Sequence, residues 1–213
     1  MKPLTPMSPQ ISSIYGVSTH VNPVVQRLSA DALGSLRQHM LAQCSPFVDP
    51  ALHRFLQWVF TADEMVAAYS FPKLARSVAG AKRLDQLVHL PFEEANYAAQ
   101  RAYRSSLPQQ HERSLTYVAA LLLPCGMFYH QHPAFKQRGQ NFTQSRAYWR
   151  MESSRLLSPA LRELRWRNSA IADILATVLG FDCGDDCDPQ QVARIGTAAY
   201  LPNEWVTTLW SRA

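Results

Sequence analysis

Several things are missing from this chain, and each absence narrows the possibilities. Nowhere in its 213 residues is there an unbroken apolar run of the roughly 20 residues that a membrane-crossing helix needs. The first ten residues hold Pro3, Pro6 and Pro9 and no apolar core of a secretory signal. The eight glycines are scattered, and they form neither a phosphate-cradling loop nor a dinucleotide fingerprint. No nucleophile-elbow pattern surrounds any serine. The four cysteines, Cys44, Cys125, Cys183 and Cys187, do not read as a disulfide framework, and a chain of this length has no need of one. Alternating apolar and polar residues, the mark of a half-buried strand, are not found. The expectation is a cytoplasmic protein without membrane spans, without strands and without a resident cofactor.

Charge is also scarce. Charged residues make up 17% of the chain, below the usual quarter or so, while apolar residues make up 47%, enough to exclude wholesale disorder. So little polar surface leaves room for a protein partner or a second copy of the chain to cover part of the apolar excess. The charge that exists is unevenly placed. Residues 101–167 carry eleven Lys/Arg against three Asp/Glu, whereas residues 168–213 carry two against six. A basic middle and an acidic end can attract each other or meet different partners.

Helix signals recur along the chain. Residues 1–27 are rich in Pro, Ser and Thr and read as an extended N-terminal arm. Residues 28–213 read as one all-α domain. Its first helix runs from Ser29 to about Gln43. Asp49-Pro50 is a cap followed by a favoured first helical residue and opens a helix carrying Leu52, Phe55, Leu56 and Val59. Thr61-Ala-Asp-Glu64 has the form of a capping box. A helix is expected to start at Pro91, another at Gln144, and a third at Ser158-Pro159. That third helix carries Leu161, Leu164, Ile171, Leu175 and Val178 up to a stop at Gly180. Asp188-Pro189 starts another, and Asn203 caps a last one holding Trp205 and Trp210. The most apolar run is Tyr117 to Leu123. A helix that is apolar on every side is buried on every side, so the domain is expected to be built around a buried helix at about 114–123, ended by Pro124-Cys125-Gly126. Residues 127–143 are expected to be irregular.

Candidate sites are few. His130 and His132 could share a metal, but no spacing places the remaining ligands. Cys183 and Cys187 enclose an acidic loop whose spacing matches neither a zinc pair nor a calcium loop, and its bland reading is a solvated turn with Asp188 as a helix cap. Glu93 and Glu94 are adjacent, so on a helix they point apart. The strongest signal is the stretch 135–167. Eight positive charges, seven of them arginine, stand here against Glu152 and Glu163, with aromatics interleaved. Lys136, Arg138, Arg146, Tyr148, Trp149, Arg150, Arg162, Arg165 and Trp166 make the candidate set. Guanidinium groups grip phosphates and aromatics stack on bases. The competing reading is that these arginines are solvated helix faces paired with the acidic C-terminal part.

The run Ala119-Ala120-Leu121-Leu122-Leu123-Pro124-Cys125-Gly126 resembles the metal-site helix of HD-superfamily phosphohydrolases, helical domains also found in degenerate form in relaxases of conjugative elements. In that family His-Asp ends an apolar run and binds the metal that activates water. Leu123 and Pro124 occupy those two positions here and neither is a ligand, so the resemblance implies a helical fold with the hydrolytic signature lost. A divergent hydrolase would have to draw on His111, His130, His132 or Asp173. A non-enzymatic binding protein is the first expectation. The divergent metal phosphohydrolase and a purely structural interaction subunit are the alternatives.

Overall fold

The computed structural model describes residues 30–44, 46, 48–69, 84–104, 110–131, 146–181 and 187–199. Among these residues all regular structure is helical. The extended arm, Lys136 and Arg138, His132, Cys183 and the Trp205–Trp210 helix lie outside them. The helices are α1 (Ala30–Cys44), α2 (Pro50–Val59), α3 (Asp63–Tyr69), α4 (Leu84–Arg104), α5 (Gln110–Leu122), α6 (Cys125–Gln131), α7 (Arg146–Arg167), α8 (Ser169–Val178) and α9 (Pro189–Ala199). None of them is long and apolar enough to cross a membrane.

Local sequence explains several helix ends. Asp49 accepts a hydrogen bond from the Leu52 N–H at 2.9 Å, and Pro50 follows as the first residue of α2. Asn168 accepts from the Ile171 N–H at 3.1 Å and opens α8. Asp188 accepts from the Gln190 N–H at 2.9 Å ahead of Pro189 and α9. Gly180 ends α8 with φ 84°, in the left-handed region that side-chain-bearing residues avoid. There the Phe181 N–H reaches back to the Ala176 carbonyl at 2.8 Å, the geometry of a glycine-terminated helix.

Other boundaries differ from the sequence reading, and packing accounts for the differences. Pro91 does not start a helix but lies inside α4, and Pro159 lies inside α7. A mid-helix proline forfeits a backbone bond and costs about 3 kcal/mol. In α4 the cost is offset by a buried face that includes Pro91 itself, Phe92, Ala95 and Ala99. In α7 Pro159 sits on the wet side, with Leu157, Ala160, Leu161 and Leu164 buried behind it. The expected helix from Ser158 to Gly180 is in fact broken at Asn168. Residues 127–131, the described part of the stretch expected to be irregular, belong to α6, which begins at the expected stop residue Cys125, because Phe128 has a place in the core. The Thr61 box is not made. Thr61 Oγ1 instead donates back to the Gln57 carbonyl at 2.7 Å, and α3 begins at Asp63.

From Ser114 to Leu122 every residue of α5 is buried, with α2, α4, α8 and α9 packed against it. Its last carbonyls have no partner within the helix and must find one elsewhere. Tyr69 of α3 donates its hydroxyl to the Leu121 carbonyl at 2.6 Å. Ser153 of α7 donates to the Leu123 carbonyl at 3.4 Å and accepts from the Gly126 N–H at 3.0 Å. Two side chains from distant helices thus complete the turn between α5 and α6. An aromatic cluster lines the same region. Tyr69 meets Phe60 edge-on at 5.5 Å and Phe128 at 5.1 Å, and Phe92 lies 6.3 Å from both Phe60 and Tyr69. At the α2–α3 corner, Arg37 of α1 donates to the Phe60 carbonyl at 2.7 Å and pairs with Asp63 at 2.7 Å.

Candidate nucleic-acid interface

The candidate residues from Arg146 onward all fall on α7, a single helix of 22 residues. The two helices expected here are one rod, so arginines assigned to different elements share one axis. The side chains of Arg146, Tyr148, Trp149 and Arg150 lie outside the described set, as do Lys136 and Arg138 altogether. From residue 151 onward the two sides of the rod are distinct. Ser153, Leu157, Ala160, Leu161 and Leu164 are buried. Met151, Arg155, Ser158, Arg162, Arg165 and Trp166 are exposed. At 3.6 residues per turn these six fall within about a third of the circumference and make one stripe along the solvent side.

The residues of the stripe differ in how far they are committed elsewhere. Arg165 places Nη2 at 2.6 Å and Nε at 2.9 Å from Asp173 Oδ1 on α8. The basic middle does pair with the acidic end at this point, as the competing reading expected. Arg155 pairs with Glu152 at 3.0 Å, and its guanidinium lies 5.4 Å from the centre of the Tyr129 ring. Arg167, one residue beyond the stripe, stacks over Trp58 at 5.1 Å. Arg162 has no ion-pair partner among the described residues. Trp166, one turn further on, is 89% exposed. A tryptophan commonly buries 150–250 Å², and this one keeps nearly all of its surface in water.

Of the residues of the enzymatic alternative, His132 and the side chain of His130 lie outside the described set, and the two that are described are committed elsewhere. His111 Nδ1 is bonded to Asp49 Oδ2 at 2.6 Å, which links the start of α5 to the cap of α2. Asp173 is held by Arg165. Among the described residues no three His, Cys, Asp or Glu side chains come together as a metal would require. Where the HD family has its His-Asp pair, Leu123 is partly buried and Pro124 is buried, and the chain passes straight into α6, with the Phe128 N–H bonded to the Pro124 carbonyl at 3.0 Å. Cys44 and Cys125 are buried, and burial pushes both thiols up to about 12. Thiols held protonated this far above neutrality are inert as nucleophiles.

One ionic contact had no advance notice in the sequence reading. Glu112 of α5 is buried, with Oε1 at 3.0 Å from Arg194 Nη2 on α9, while Oε2 has no hydrogen-bond partner among the described residues. Its register was the available signal, because Glu112 shares a helix face with Leu115 and Ala119. No protein-family model, curated protein or solved structure matches the chain.

Proposed function

We propose that this protein is a non-enzymatic helical binding module whose Arg/aromatic segment, residues 135–167, contacts nucleic acid or another acidic partner. The observation that carries the reading is the exposed stripe of α7, where Arg162 and a Trp166 that is 89% exposed stand side by side. A tryptophan left in water on an arginine-rich helix is poorly explained by folding, since burial of its ring would have been worth several kcal/mol by area. It is well explained by a partner that supplies the missing contact, because Trp and Arg are the residues that dominate binding surfaces. The whole-chain pI near 9.2 favours a polyanion.

The reading predicts that the intact protein is retained by a polyanion at low ionic strength and released by salt. Replacing Arg146, Arg150 and Arg162 together by glutamine weakens retention and flattens its salt dependence. Failure of the intact protein to bind any polyanion at low salt removes the proposal.

A further inference from the structure

We infer that the occupant of the α7 stripe is single-stranded nucleic acid, with one unpaired base stacked on Trp166 and its phosphate on Arg162. This rests on the binding role proposed above and names the partner. Arg162 and Trp166 are four residues apart on one helix, so their side chains are neighbours, about 6 Å apart along the axis at 1.5 Å per residue. Both are exposed. A flat aromatic face beside a guanidinium is the minimal unit that holds one nucleotide: the ring takes the base and the cation takes the backbone.

Three observations favour this occupant over others. First, the stripe is a poor seam for a protein helix. Such a seam needs apolar residues at each turn, and between Met151 and Trp166, some 22 Å apart along the axis, the stripe presents Arg155, Ser158, Arg162 and Arg165. It therefore lacks the contiguous apolar centre of a protein interface. Second, duplex DNA offers no free base face to Trp166 unless a nucleotide is flipped out at a cost. Third, the described part of the stripe is thin in available charge. Arg165 has two nitrogens on Asp173, and Arg155 has its Nε on Glu152. Arg162 is the member of the stripe with no such pairing among the described residues. Within this described part the planar face of Trp166 is therefore the more available contact.

The test measures fluorescence anisotropy of a labelled fifteen-nucleotide oligo-dT, its duplex with oligo-dA, and labelled poly-glutamate, using the full chain and its Trp166→Ala, Trp166→Phe and Arg162→Gln variants. Circular dichroism checks that each exposed-site variant is folded. The expected results are tightest binding of oligo-dT, a loss of about tenfold or more in Trp166→Ala, partial retention in Trp166→Phe, and a salt slope for Arg162→Gln shallower by about 0.7. If Trp166→Ala binds oligo-dT as the unsubstituted chain does, or if the duplex binds as tightly as the single strand, this inference is overturned and the broader polyanion role survives. Binding of poly-glutamate without oligo-dT overturns it in favour of an acidic protein partner. If no probe binds, both proposals fall.

Discussion

Replacing Arg194 with methionine removes a charge from the edge of the core and leaves its partner behind. Glu112 keeps only 4% of its side chain in contact with solvent, against 44% for Arg194. The carboxylate therefore bears most of the desolvation, and among the described residues the arginine is its one ionic partner. Stranding a buried charge costs about 3–5 kcal/mol when both partners are buried. Since nearly half of the arginine is wet, water replaces part of what it supplied, and about 2–3 kcal/mol is the expected loss. For a chain of this size that corresponds to a melting temperature lower by roughly 4–12 °C. Glu112→Gln, which removes the charge and keeps the shape, costs less than Arg194→Met. Combining Arg194→Met with Glu112→Leu recovers much of the loss, because no unpaired charge then remains inside. Urea denaturation followed by circular dichroism on the unsubstituted chain, Arg194→Met, Glu112→Leu and the double substitution closes the cycle, with Glu112→Gln measured beside it. If Arg194→Met were neutral to within about 0.5 kcal/mol, or if the double substitution were as damaging as the two single changes added together, the claim that this pair bridges α5 and α9 across a dry contact would be wrong.

Other consequences follow from the same structure. Ser153→Ala removes the side chain that joins the α5–α6 turn to α7 and leaves the buried Gly126 N–H without its acceptor, so a loss of about 1–3 kcal/mol is expected in the same denaturation assay. Asn168→Ala deletes the cap that separates α7 from α8 and costs about 1 kcal/mol, seen as a lower urea midpoint. In thiol titration of the native protein at pH 8, Cys44 and Cys125 stay unreacted until denaturant is added, whereas the partly exposed Cys187 reacts ahead of both. For those two buried thiols the folded pKa is raised from 9.0 to about 12. Their contribution to stability is complete below pH 9. It is lost as pH rises toward 12, because the unfolded chain ionises first. The prediction is a urea midpoint that falls across that window and falls less in a Cys44→Ala, Cys125→Ala chain.

Much of the fold was legible because its cues are local. Asp49-Pro50, Asp188-Pro189 and Gly180 sit at helix ends for reasons contained within a few residues, while of the apolar run Tyr117–Leu123 the part to Leu122 is buried in α5 and Leu123 lies past its end, partly buried. What escaped detection depends on distant partners. Pro91 and Pro159 look like helix starts, yet α4 and α7 run on through them, with Phe92, Ala95 and Ala99 buried after Pro91 and Leu157, Ala160 and Leu161 buried around Pro159. Glu112 looks like an ordinary first-turn acid until Arg194, 82 residues away, is placed on it. The candidate interface was half legible. Clustering of arginine and aromatic residues marked α7, but which arginines are already paired depended on α8 folding back to bring Asp173 beside Arg165.

The central claim is that the exposed face of α7 meets a polyanionic partner at Trp166. Its most direct test is the indole Nε1–H resonance of Trp166, assigned by its disappearance in the Trp166→Phe chain, followed while unlabelled oligo-dT is added at low salt. The account predicts that this resonance shifts in step with binding, and that the indole of Trp58, half-buried beneath Arg167, moves much less. A Trp166 signal that stays fixed while the protein is saturated with oligonucleotide would place the contact elsewhere and contradict the account.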